Sequence, residues 1–368
     1  MIWRAWLGAA LLLGCARPGE ERTLADRQVG HAATATLRVD VDDGLAAVRV
    51  LEDDMVSLWA NAPSLRVQLR FAATFPETLR LEVHNCMPRS ALDAGLVGVR
   101  ASGREAGNVC WFELGPLDGR PASLALAPPD GQTPSAFRFA VMSDVQEAID
   151  RVQDIYRRIN REPNIDFLLG AGDLTEHGSA EELEHFQREL QGLDIPYYTT
   201  LGNHELRESP SLFQPYFGRC NQSFEWRGVR FTLLDSASAT VDPLAEDWLD
   251  GWLANGRRAV HVVAMHIPPL DPVGSRNASF ASRAEAAALV SKLAEGRVDL
   301  TLYGHIHAYY AFQNGGIPAF ISGGGGATPE LADDVGRHFM VFEVDAALGV
   351  LNSRVVRVDP THPSEHVP

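Results

Sequence analysis

With 368 residues the chain has room for one large or two ordinary domains, and 45% hydrophobic against 22% charged residues excludes wholesale disorder. A formal net charge of -16, with Lys292 the only lysine, argues against nucleic acid or an anionic membrane as a bulk electrostatic partner. An anionic substrate remains open, because bound metal ions reverse the local field.

The chain begins "MIWRAWLGAALLLGC", with one early cation, Arg4, and an apolar run too short to span a bilayer comfortably. The "LLGC" ending resembles a bacterial lipoprotein signal, in which residues 1–14 are the leader and Cys15 becomes the lipidated first residue. An ordinary secretory signal that happens to contain a cysteine is the other reading. Either predicts export. The lipoprotein form predicts a bacterial cell-envelope protein, periplasm-facing or on the outer membrane, that meets lipid only through its anchor. Residues 15–31 read as a polar tether. Export permits disulfides. With Cys15 set aside, Cys86, Cys110 and Cys220 allow three pairings, of which Cys86–Cys110 is the simplest, since both belong to alternating runs of one domain.

Residues 32–127 read as short strands. "TLRVDV", "SLRVQLRF", "TLRLEV" and "NVCWFEL" alternate apolar and polar, and "DDG", "NAP" and "LDG" punctuate them. This pattern predicts a small antiparallel β-sandwich with no ligand-spaced His, Asp or Cys, a structural or docking module. "APPDGQTPSA" marks a linker at 128–135. Over 136–360 apolar strands alternate with helices expected at 146–161, 180–192 and 282–295, the signature of an α/β domain. The end of that domain, residues 338–359, reads as a closing hairpin, and 361–368 as a frayed tail.

Five strands of the second domain end on metal-binding types of residue: Asp144 and Gln146, Asp173, Asn203 and His204, His266, and His305 with His307. In open α/β sheets the ligand crevice lies outside the carboxyl ends of the strands, so these side chains are expected to converge there. Period two would point Asp144 with Gln146, and His305 with His307, to one side. Each ending alone reads as a turn, a cap or a core histidine; five in order do not. Carboxylate, amide and imidazole without thiolate suit Mn, Fe or Zn.

The order Asp-x-Gln, "GAGD", "GNHE", "VVAMH" and "GHIH" resembles the calcineurin-like metallophosphoesterase family. The resemblance implies a four-layer α/β/β/α sandwich with a two-metal centre, here preceded by the all-β sandwich. Carried over, Asp144, Gln146, Asp173 and His307 hold one metal ion. Asp173 bridges to a second ion completed by Asn203, His266 and His305. His204 is then the catalytic histidine, and Glu176, three places after the bridging acid, its orienting partner. The implied function is a two-metal hydrolase in which a metal-activated hydroxide attacks a phosphoester, with phosphodiester or nucleotide-type substrates slightly ahead. A broad phosphomonoesterase and a non-catalytic, metal-stabilised surface binding protein are the alternatives.

The related purple acid phosphatases share the domain order and a run like "GHIHAYY". Their iron-binding tyrosine would stand where this chain has Glu176, so no purple iron centre is expected. Gln146 replaces the usual histidine of the first motif. Its neutral, hard amide oxygen tilts the expected metal toward Mn or Fe over Zn. His177 and Tyr309–Tyr310 read as loop residues near the mouth. "GGGGA" at 323–327 lacks the Lys-Ser/Thr of a phosphate loop and reads as a sharp turn near the metals.

Overall fold

The computed structural model describes residues 19–72, 76–256, 259–274, 278–329 and 335–358. Cys15, the leader and the tail at 361–368 lie outside these residues.

The first domain is built from β1 (His31–Ala33), β2 (Leu37–Val41), β3 (Ala46–Leu51), β4 (Met55–Ala60), β5 (Leu65–Phe71), β6 (Leu79–His84), β7 (Ala91–Asp93), β8 (Val99–Glu105), β9 (Val109–Leu114) and β10 (Ala122–Ala127). They form two sheets, β1-β2-β5-β10-β7 and β3-β4-β6-β9-β8. Period-two alternation buries Val39, Leu69, Leu81 and Leu124 in one core between them. One pair, β4–β6, is parallel, which departs from the all-antiparallel expectation. The reason is topological: the chain crosses to the other sheet through β5 before returning. Cys86 and Cys110 are disulfide-bonded, with Cα atoms 6.1 Å apart, and Cys220 is free and buried.

The expected tether is instead an ordered part of the protein from residue 19 onward. Helix α1 (Glu20–Asp26) docks on the second domain through charge. Arg22 Nε donates to Asp235 Oδ2 at 2.6 Å. The buried Asp26 carboxylate accepts from the backbone N–H groups of Cys220 and Asn221, both at 2.9 Å. Polarity signalled solvent, yet these charges are buried with partners, the one circumstance in which burial of a charge is tolerated.

The second domain places two sheets face to face. The first runs β13-β12-β11-β20-β21, from β11 (Phe137–Met142), β12 (Ile165–Ala171), β13 (Tyr197–Thr200), β20 (His338–Asp345) and β21 (Gly349–Arg357). The second runs β14-β15-β16-β17-β19-β18, from β14 (Gln222–Trp226), β15 (Val229–Leu234), β16 (Val260–Met265), β17 (Leu300–Tyr303), β18 (Tyr309–Asn314) and β19 (Ile317–Ser322). Alternation decides the layers. In β11, Phe139 and Val141 face the opposite sheet, while Ala140 and Met142 face outward. In β16, Val262 and Ala264 face inward, while Val263 and Met265 face outward.

Helices α2 (Gln153–Asn160), α3 (Ala180–Glu189) and α4 (Phe213–Phe217) cover the first sheet. Helices α5 (Pro243–Gly256) and α6 (Arg283–Glu295) cover the second, completing four α/β/β/α layers. The aromatic centre between the sheets is tight: Phe139 is within 5.1–5.7 Å of Phe231, Phe342 and Phe167, ring centre to ring centre. Full burial of each such ring contributes about 1.5–3 kcal/mol. Helix α5 was not expected from sequence, although its buried stripe, Ala245, Leu249 and Leu253, has helical spacing. The helix expected at 146–161 splits into a 3-10 turn, Gln146–Arg151, followed by α2.

The domains meet along the edge strand β13. Asn61 donates to Thr199 O (3.0 Å) and accepts from Thr199 N (2.9 Å). Asn85 does the same for Tyr197, at 2.7 and 2.8 Å. Two side-chain amides thus stand in for the next strand of the ladder.

Candidate metal centre

The candidate ligands lie just beyond the strands rather than on them. Strand β11 ends at Met142, and Asp144 follows with φ 63°. Gln146 (φ 46°), Asp173 (φ 53°) and His305 (φ 70°) are likewise left-handed. Such backbone is costly for non-glycine residues and gathers at functional sites. It also corrects the period-two expectation: turns, not strand alternation, aim Gln146 and His305. The glycines of "GAGD" and "GNHE" let two loops touch, since a Cβ on Gly172 would lie 2.7 Å from Gly202 N.

The geometry converges on Asp173. Its Oδ2 lies 2.8 Å from Gln146 Nε2 on one side and 3.2 Å from His266 Nε2 on the other. Gln146 Nε2 is 3.1 Å from His307 Nε2, which is 3.5 Å from Asp144 Oδ1. His266 Nε2 is 3.1 Å from Asn203 Oδ1, and the His266 and His305 rings are 5.1 Å apart. Two groups among the described residues have ligand atoms within 4.8 Å of one another: Asp144, Asp173 and His307, and Asp173, His266 and His305. His305 and His307 therefore serve different groups, and Asp173 belongs to both.

The donor set fits cations. His266 Nδ1 donates to Ala171 O and His307 Nδ1 to Thr328 O, each at 2.8 Å, which turns both Nε2 atoms to the centre: His266 toward the oxygens of Asp173 and Asn203, His307 toward the Gln146 amide nitrogen and, at 3.5 Å, Asp144. Carboxylate oxygens and imidazole nitrogens gathered in this way are a donor set that suits a cation. The electrostatics agree. Burial works against charge on His266, yet Asp173 and Asp144 raise its pKa to about 9. Burial also raises Asp144, while His266 and His204 outweigh burial at Asp173 and hold that carboxyl below its usual range. The backbone N–H of His305 supports Asp144 at 3.0 Å.

Glu205 is the residue sequence reasoning missed. It is buried, and its Oε1 accepts from Leu174 N, Thr175 N and Thr175 Oγ1, each at 2.9 Å. Its Oε2 accepts from Gly202 N (2.7 Å) and Asp173 N (3.1 Å). One carboxylate thus ties the Asp173 loop to the Asn203–His204 loop. Burial and Asp173 raise its pKa to about 7 despite these donors. Its place directly after His204 was the available signal.

His204 stands beside the centre, its Nε2 3.8 Å from Asp173 Oδ2. Its Nδ1 donates to the backbone carbonyl of Glu176 at 2.9 Å, with the Glu176 carboxylate at 3.4 Å. The nearest partner of that carboxylate is Arg207, whose Nη1 donates at 2.7 Å. Glu176 thus meets His204 chiefly through its main chain. His177 is exposed and pairs with Glu182. The glycine run packs under the site, with Gly325 N donating to Ser143 O at 2.9 Å. It is a turn, not a phosphate cradle.

The model of the family described as calcineurin-like phosphoesterase matches residues 137–309. A 3′,5′-cyclic-nucleotide phosphodiesterase from Nostoc sp. is 29% identical over 163 residues, 41% of this chain and 59% of that protein. A 3′,5′-cyclic adenosine monophosphate phosphodiesterase from Pseudomonas aeruginosa is 29% identical over 178 residues, 45% and 62% of the two. The chain thus spans about six-tenths of the length of these relatives. The purple acid phosphatase of yellow lupin (Lupinus luteus) seeds shares the fold, with TM-score 0.51 and 14% identity over 83% of this chain and 75% of that one.

Proposed function

Because the chain carries a domain of the calcineurin-like phosphoesterase family over residues 137–309, a family dependent on two metal ions, we propose that it hydrolyses phosphodiesters of the cyclic-nucleotide type. The observation that carries this reading is the Asp173 carboxylate standing between two ligand groups. The activities of the two curated relatives supply the substrate class. Asp144, Gln146, Asp173 and His307 would hold one cation, and Asp173, Asn203, His266 and His305 the other. When bound, such a pair lowers the pKa of water toward roughly 7 and clamps phosphate oxygens. Gln146 turns its amide nitrogen to Asp173 and His307 here, so holding a cation requires the amide to rotate and present Oε1. That oxygen and Asn203 Oδ1 favour Mn or Fe over Zn.

His204 supplies the proton. Its Nδ1–H is held by Glu176 O, so Nε2 is the atom turned to the centre. Protonated there, it gives the proton to the departing alkoxide oxygen, and the Glu176 carboxylate beside the ring supports the imidazolium. His204→Ala should cut kcat/KM by about 10²–10⁴ on alkyl phosphodiesters and much less on nitrophenyl esters, which leave without a proton. Equal losses on both would remove His204 from this role.

The deciding assay is turnover of 3′,5′-cyclic adenosine monophosphate, bis-p-nitrophenyl phosphate and p-nitrophenyl phosphate across divalent metals, with metal analysis. Dominant monoester turnover would make the protein a phosphomonoesterase. No turnover with any metal would leave a metal-stabilised binding protein. The proposal includes export and lipidation at Cys15. The Cys86–Cys110 bond supports an oxidising compartment. Cys15→Ser should move the protein from the membrane to the soluble fraction of the producing cell, and an unchanged distribution would exclude the anchor.

A further inference from the structure

Arg207 follows the "GNHE" turn and takes no part in the ligand groups. Its guanidinium nevertheless bridges two residues of the site. Nη1 donates to Glu176 Oε1 at 2.7 Å, and Nη2 donates to His204 Nε2 at 2.9 Å. That imidazole nitrogen is the one turned toward Asp173. One N–H edge of a permanent cation therefore lies at the mouth, in a site whose other charged groups at this point are Asp173, Glu176 and Glu205.

The backbone under Arg207 is fixed. Arg207 N donates to His204 O in the short 3-10 turn His204–Leu206, and Glu205 ties that turn to the Asp173 loop. The side chain is not fixed to the same degree. Arg207 is 43% exposed and Glu176 30%, and an ion pair so exposed contributes only about 0–1 kcal/mol. Glu176 can therefore serve as a pivot while Nη2 exchanges the neutral imidazole for a stronger acceptor. A phosphoryl oxygen is such an acceptor, because charge-assisted N–H···O⁻ bonds are about twice as strong as neutral ones.

We infer that Arg207 is a phosphoryl-binding residue that gives the site affinity for a doubly charged terminal phosphate: a phosphomonoester, or inorganic phosphate. The inference rests on the hydrolase reading and deepens it. A diester carries one negative charge, whereas a monoester carries about 1.5–2 at pH 7. Hydrolysis of a diester generates that second charge within reach of the guanidinium, so Arg207 holds the product as well as monoester substrates. In leaving Nε2, it also frees the atom on which His204 must carry its proton.

The test titrates inorganic phosphate into the metal-loaded protein by calorimetry, for wild type, R207Q and R207K. Metal content and kcat/KM on p-nitrophenyl phosphate and bis-p-nitrophenyl phosphate are measured alongside. R207Q should raise the phosphate Kd about tenfold or more, with metal content unchanged. Monoester kcat/KM should fall by a similar factor, and diester kcat/KM by less than about threefold. R207K keeps the charge without the planar fork and should lie between the two proteins. If R207Q does not fold, the R207K titration decides the matter alone. A phosphate Kd within about twofold of wild type in the folded variants, or equal losses on both esters, would overturn the role. If neither ester is turned over, the hydrolase reading falls, and the phosphate titration still decides on Arg207.

Discussion

Asp173→Asn is expected to lower kcat/KM on phosphodiesters by more than about 10³-fold and to cut bound metal from about two ions per chain to one or fewer. The substitution keeps size and shape. It keeps an oxygen able to accept from His204 N, now 2.9 Å from Oδ1. What it removes is the negative charge at Oδ2, the atom flanked by Gln146 and His266. Among the described residues no other carboxylate belongs to both ligand groups. Asp144→Asn, by contrast, touches one group and should spare one ion. Metal analysis of the two variants separates the cases, and two ions retained by Asp173→Asn would sink the bridging role.

Glu205→Ala should destabilise the protein strongly although Glu205 belongs to neither ligand group. It strips acceptors from four buried backbone N–H groups, those of Asp173, Leu174, Thr175 and Gly202, and from the Thr175 hydroxyl. Each buried donor left without a partner costs about 1–3 kcal/mol, though neighbours are not additive, so a loss of at least about 3 kcal/mol in urea unfolding is expected. Activity should fall roughly 10–100-fold even in the folded fraction, the usual effect of losing a group that orients ligands. Glu205→Gln keeps the volume but turns one acceptor into a donor facing other donors, and should fall between. Wild-type stability in the alanine variant would mean that water replaces the carboxylate and that the loops need no tie.

What the sequence made legible was chemistry at strand ends. Asp144, Asp173 and His266 each follow an apolar run long enough to be a buried strand, and burial of a polar group there demands a partner. The four layers were legible only through the family resemblance, since Phe139, Ala140, Val141 and Met142 are all apolar and offer no alternation to read. Two kinds of fact were not. The left-handed backbone at Gln146 and His305 depends on loops that meet only in three dimensions, so local alternation misassigned how they aim. Arg22 and Asp26 read as solvent-facing because their partners, Asp235 and Asn221, are about two hundred residues away. Glu205 was hidden by its neighbours, since an acid after "GNH" looks like any cap until its donors are seen.

The pairing of Asn61 and Asn85 with β13 bears on how this protein can be cut. A fragment starting at the 128–135 linker would retain every candidate ligand, yet it would bare the N–H and C=O groups of β13 now matched by the two asparagines. An unguarded strand edge is a template for intermolecular pairing. Since β13 leads within three residues to Asn203, self-association of the fragment would begin beside the site it was made to isolate. The sandwich is therefore expected to guard that edge in solution, whatever else it contributes.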